Sequence, residues 1–116
     1  MNMFRHDAKS LALYRAIHRK MTTGDPLPYL RAARDWAARF STERPEDIWL
    51  AEWVKRLDRA IVSQEAREDL YRLMLSKAQH AIDMRSSSPF SMVLTKKERT
   101  LVLKEFERQW EAGDWQ

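Results

Sequence analysis

The sequence predicts an all-α protein: one bundle-like domain of four to five helices spanning residues 1–116. Three observations carry that reading. Apolar side chains recur every three to four residues almost throughout the chain. Helix-start signals of the cap-then-proline and capping-box kind punctuate the pattern. Only 2 glycines are present, against a usual share of roughly 7%, which leaves few of the tight turns that β-hairpins need.

The first helix is expected from an N-cap at Asp7 to about Met21, with Leu11, Tyr14, Ile17, His18 and Met21 on one stripe. Thr22–Pro26 interrupts it, and Gly24 suits a left-handed C-terminal position. Asp25 followed by Pro26 opens a second helix, with Tyr29, Ala33, Trp36, Ala37 and Phe40 on its apolar face. Pro45 opens a third, on which Trp49, Leu50, Trp53, Val54, Leu57, Ala60 and Ile61 share an arc of roughly 140°.

No Gly or Pro separates this third helix from the apolar segment after it, so one long rod is the rival reading. The centre of the stripe shifts by about 100° between the two segments. That shift favours a bend near Ser63, a cap candidate. The fourth helix is expected to reach about Arg85. Its apolar residues, from Ala66 through Leu70, Tyr71, Leu73, Met74, Ala78 and Ile82 to Met84, cover roughly 220° of the wheel. That is more than one neighbour covers, although Arg67 and Lys77 intrude on it. A loop over residues 86–95 follows. Within it Phe90–Leu94 is uncharged and reads either as a connector folded over its own core, the preferred reading, or as an arm that packs on a partner. Thr95 and Glu98 form a capping box for the last helix, whose stripe is Val102, Leu103, Phe106 and Trp110 and whose end is Gly113.

Composition narrows the function classes. With no Cys, disulfides, thiolate metal sites and cysteine nucleophiles are excluded. Arg5, Asp7 and Lys9 break up the start of the chain, so no signal-peptide apolar region is read there, and no apolar run reaches the roughly 20 residues of a membrane span. A cytoplasmic location is the expectation. His6, His18 and His80 stand outside any HExxH or ExxH pairing, and glycines at 24 and 113 alone allow no phosphate loop, dinucleotide motif or G-x-S-x-G elbow. No acid, base and nucleophile converge, so the chain is read as a non-enzyme with no cofactor and no metal. A boundary position satisfied by its surroundings is the better reading of His18.

The net charge is +4 and concentrated at one end: residues 1–44 hold nine Lys/Arg against four Asp/Glu. Arg15, Arg19, Arg31 and Arg34 in that third are candidates for steering an acidic surface. They also raise nucleic-acid binding through a helix-turn-helix across Thr22–Asp25, but Asp35 among the arginines and the prolines at 26 and 28 speak against it. Protein association is the preferred class. The 5 Trp are a residue type that hot spots favour, and the over-wide fourth helix leaves apolar surface to cover. Leu70, Tyr71, Leu73, Met74, Ala78, Ile82, Met84 and Phe90 are the interaction candidates, with a homodimer as one way of covering them.

In size, helix content and lack of catalytic apparatus the chain resembles the small all-helical quorum-sensing antiactivators (QslA-like). The stripes Trp49/Trp53/Leu57 and Leu70/Met74/Ala81 and the basic first third carry the resemblance. It implies a dimeric transcription regulator that inhibits a LuxR-type activator by masking its dimerisation or ligand-binding domain. No functional residue is carried over from it.

Overall fold

The computed structural model describes residues 3–116, and they form six helices with no strand among them. These are α1 (Arg5–Thr23), α2 (Leu27–Glu43), α3 (Ile48–Val62), α4 (Gln64–Leu75), α5 (Gln79–Ser86) and α6 (Lys96–Ala112). The all-helical expectation holds, but the count of four to five does not. α2 packs along α3, α3 along α4, and α1 lies against α4 and α5. α6 packs chiefly on α1. No described helix is long and apolar enough to cross a membrane.

Local chemistry sets the ends. Ser63 lies in an extended conformation between α3 and α4, and its hydroxyl accepts from Ala66 N at 3.2 Å. The bend expected there is a true break. Arg67, which intruded on the apolar arc, reaches back to the last carbonyls of α3, donating to Ala60 O at 3.0 Å and Ile61 O at 3.4 Å. It does for α3 what a C-terminal glycine motif does elsewhere. Asp47, rather than Pro45, caps α3, accepting from Trp49 N and Leu50 N. The capping box of Thr95 and Glu98 forms as expected, and Gly113 ends α6 in the left-handed region at φ 74°. Gly24 does not adopt that conformation, since its φ is −133°. Asp7 lies in the first turn of α1 rather than capping it, and α1 starts at Arg5.

The expected long fourth helix is two helices. α4 stops at Leu75, and Ser76 Oγ accepts from Ala78 N at 3.0 Å to start α5. The carbonyls left free at the end of α4 are taken by Arg85, whose Nη1 donates to Met74 O at 3.1 Å and Ser76 O at 2.8 Å. The cap is thus supplied from the next helix, where local sequence gives no Gly or Pro signal. This break dissolves the 220° face. The chain changes direction at residues 76–78, so each half buries an ordinary stripe. Leu70, Met74 and Met84 are buried in the core, as is Phe90, and none is an exposed interface residue. Tyr71, Leu73 and Ile82 are half-buried, and Ala78 is exposed.

Trp53 is the largest fully buried side chain. Its indole N–H donates to Met84 O at 2.8 Å, and its ring meets Phe90 edge-on at 5.4 Å and Tyr14 at 6.3 Å. Tyr14 and Phe90 also meet edge-on at 5.7 Å. Phe90–Leu94 therefore folds over the core, with Phe90 and Val93 buried. Burial pushes the Tyr14 phenol well above its ordinary pKa, although Ser88 takes its hydrogen bond at 2.7 Å.

Trp53→Phe keeps most of the apolar area but removes one of the two hydrogen bonds on the Met84 carbonyl, which keeps that from Ser87 N at 3.2 Å. It is expected to cost about 0.5–1.5 kcal/mol. Trp53→Ala, which also opens a cavity, should cost about 3–5 kcal/mol. Urea unfolding of the two variants checks both the size and the order of these losses.

Candidate functional site

α1 has two useful faces. Leu11, Tyr14, Ile17 and Met21 point into the core. On the opposite side Ala12, Arg15, Ala16, Arg19 and Thr23 recur at helical spacing, and α6 lies alongside that face. α6 presents Glu98, Leu101, Val102, Glu105, Phe106 and Gln109 at the matching spacing. The two rows do not close against each other. They leave a cavity of about 990 Å³ towards α2 and one of about 430 Å³ towards the end of the chain. Both are lined by Arg19, Leu101 and Val102, which makes them one groove. It follows about three turns of each helix, roughly 16 Å.

Each end has its own wall. Pro28 and Tyr29 of α2, with Leu94 of the connector, close the first. At the second, Trp115 packs edge-on against Phe106 at 6.0 Å and near Trp110 at 6.2 Å. The Arg15 guanidinium and the Lys77 ammonium lie over the Trp115 ring at 5.1 and 5.6 Å. The same two groups donate to Gln116 O at 3.1 and 2.7 Å. Small Ala12 and Ala16 keep the floor low. Leu101 projects from the wall and remains 58% exposed.

The electrostatics of the groove are mostly settled internally. Lys20 Nζ donates to Glu98 Oε1 at 2.6 Å, tying the start of α6 to α1. The same oxygen accepts from Thr95 N at 2.8 Å. The Lys20 hydrogen bond first, and the Thr95 amide second, hold the Glu98 carboxyl down to about 2. Arg108 and Gln109 occupy Glu105. Arg19 is different: it is exposed and forms no ion pair among the described residues. No histidine, serine or cysteine lines either cavity.

Of the four arginines read as steering groups, Arg15 and Arg19 reach this groove. Arg34 is committed to Asp58 at 2.8 Å, and Arg31 is exposed on α2 away from the groove. The apolar candidates of α4 and α5 do not line it. Leu101 and Tyr29 were missed as site residues. The signal for Leu101 was its position about 155° off the centre of the α6 stripe, an apolar residue on the opposite face.

A second polar cluster lies on α3 and α5. Glu52 Oε2 accepts from Arg56 Nε and meets His80 Nε2, each at 2.7 Å, with Trp49 edge-on to His80 at 5.3 Å. Burial alone would raise the Glu52 pKa, but the bonds from His80 and Arg56 outweigh it and lower it. His18 is half-buried against Tyr71, ring edge to ring face at 4.8 Å, and burial and then Arg19 lower its pKa. Among the described residues no group of three or more His, Asp or Glu is placed to hold a metal ion.

Comparison with protein-family models, curated proteins and solved structures finds no match to this chain.

The Lys20–Glu98 link gives a titration with a defined sign. A depressed carboxyl pKa adds stability above the ordinary glutamate value of 4.5, and that stability is lost as pH falls towards about 2. In Lys20→Met the Glu98 midpoint should move up towards 4.5. Carboxyl-carbon NMR of the two proteins over this range measures it.

Proposed function

We propose that this chain is a non-catalytic regulatory protein that binds another protein through the α1–α6 groove. The observation that carries the reading is the groove itself: an apolar trough with Leu101 standing proud of one wall and the unpaired Arg19 in its floor. Its length and helical walls suit an amphipathic helix laid between α1 and α6, with apolar side chains on Leu101 and Val102. An acidic residue on that helix would meet Arg19. Exposed apolar surface framed by polar groups is the usual mark of association.

The resemblance to quorum-sensing antiactivators makes a LuxR-type activator the first partner to test. In that reading the chain works in the cytoplasm, and inhibition is steric, with the groove capturing a helix the activator needs for its own dimer or ligand pocket. A homodimer through the same face is the competing use of the surface. Nucleic-acid binding is the weaker reading, because Arg34 is paired with Asp58 and Arg39 with Glu43, leaving a thin cationic face on α2.

Leu101→Glu and Arg19→Glu should each weaken partner binding at least about tenfold, a loss of about 1.4 kcal/mol. Both residues are exposed, so the melting temperature should hold. Calorimetric titration against the purified activator domain measures the first, and thermal unfolding the second. A photo-crosslinker at Leu101 should trap the partner in cells, while one at Val62, which is 84% exposed and outside the groove, should not. Equal trapping at both sites, or unchanged binding by both variants, would sink the groove as the contact surface.

A further inference from the structure

Another cavity lies on α1 and shares no lining residue with the α1–α6 groove. It holds about 270 Å³ between α1, the 86–95 connector and the start of α6. Its walls divide by chemistry. Leu13, Tyr14 and Ile17 make an apolar side. Ser10, Ser88 and Ser91 bring three hydroxyls, and Lys9 and Arg99 bring two cations, one from each helix. No Asp or Glu lines it. Elsewhere Lys20, Arg34, Arg56 and Arg72 each hold a carboxylate, whereas Lys9 and Arg99 form no ion pair among the described residues. Their donors are accessible. Lys9 Nζ and Ser10 Oγ have no protein partner yet are not buried, and Arg99 is exposed. Ser88 Oγ already accepts from Tyr14 Oη at 2.7 Å and from Phe90 N at 3.2 Å, which leaves its own proton to donate. His6 also borders the cavity but is engaged with Asp7 at 3.2 Å.

Size and lining together define the ligand. The volume equals roughly nine waters at about 30 Å³ each, so it suits a molecule of about ten non-hydrogen atoms. An inorganic anion would leave the Leu13 and Ile17 side wet, and a neutral hydrocarbon would leave both cations unmatched. We infer that this cavity binds a small amphiphilic monocarboxylate, its carboxylate between Lys9 and Arg99 and its hydrocarbon chain on Leu13, Tyr14 and Ile17. The long stems of Lys and Arg let both charged ends turn over the anion. The bound molecule would tie α1 to the connector and to the start of α6. The inference stands apart from the partner groove and does not depend on it.

The test is a titration of the full chain with sodium octanoate at fixed pH and ionic strength, read by amide NMR. Saturable shifts at Leu13, Ser88 and Ser91 are expected, with Leu101 and Val102 of the groove unmoved. Butyrate, four methylenes shorter, should bind at least about tenfold more weakly, since each buried methylene is worth about fourfold. Inorganic phosphate should leave the same amides unmoved. Lys9→Met combined with Arg99→Met should weaken octanoate about tenfold, whereas Arg19→Met should not change it. Neither Lys9 nor Arg99 makes a side-chain bond in the fold, so the melting temperature of the double variant should hold; should it fail to fold, Arg99→Met alone decides. Shifts that never saturate or that centre on Leu101 overturn the proposal. So do equal affinities for octanoate and butyrate, phosphate binding as tight as octanoate, or an octanoate affinity unchanged by loss of the two cations.

Discussion

The hydrogen bond from the Trp53 indole to the Met84 carbonyl joins the middle of α3 to the end of α5 at the centre of the core. It places the widest side chain of α3 against the last turn of α5 and holds it beneath the connector. Phe90 and Tyr14 then close on its ring, so α1, α3, α5 and the 86–95 segment share one aromatic cluster. An indole brings about 200 Å² of apolar area and one polar group that must be satisfied. Both needs are met at one point here. The direction of α5, and with it the floor beneath α1, follows from that contact.

Two arginines set the other constraint. Arg67 finishes α3, and Arg85 finishes α4, each by donating to carbonyls that a helix leaves free at its end. In a chain with so little glycine this is how sharp helix ends are made. It puts guanidinium groups close to the core, where apolar side chains would otherwise continue the stripe. A charge on an apolar arc here marks a helix terminus, and each terminus lies where a neighbouring helix must turn away.

Local signals in the sequence were sufficient where the chemistry was local. Ser63, Thr95 with Glu98, and Gly113 act within four residues, and their helix boundaries were readable. The stripe on α3 was readable too, since Leu50, Trp53, Leu57 and Ala60 are all buried. The break at residues 76–78 was not, because Arg85 supplies its cap from the next helix. That single omission produced the apparent surplus of apolar surface on Leu70–Met84. The groove was harder still. Its floor is the back of α1 and its wall is α6, brought together by Lys20 and Glu98 across 78 residues. Periodicity shows which face of a helix is apolar, but not which second helix will lie along the other face. Only half of the steering arginines belong to the groove, because pairing such as that of Arg34 with Asp58 is decided by packing.

α6 stands apart in one respect. It rests chiefly on α1 and buries only Phe106 completely. Its detachment would break one interface, the Lys20–Glu98 bridge and the Trp115 stack, while the Trp53 cluster stayed intact. The free energy of that opening is therefore smaller than that of global unfolding, and amide exchange in α6 follows the smaller value. A helix bound in the groove would rest on α6 as well as on α1, and would raise protection along the whole of α6, including turns it never touches. The wall of the groove would then behave as a cooperative unit in its own right, and its rigidity would report occupancy of the trough.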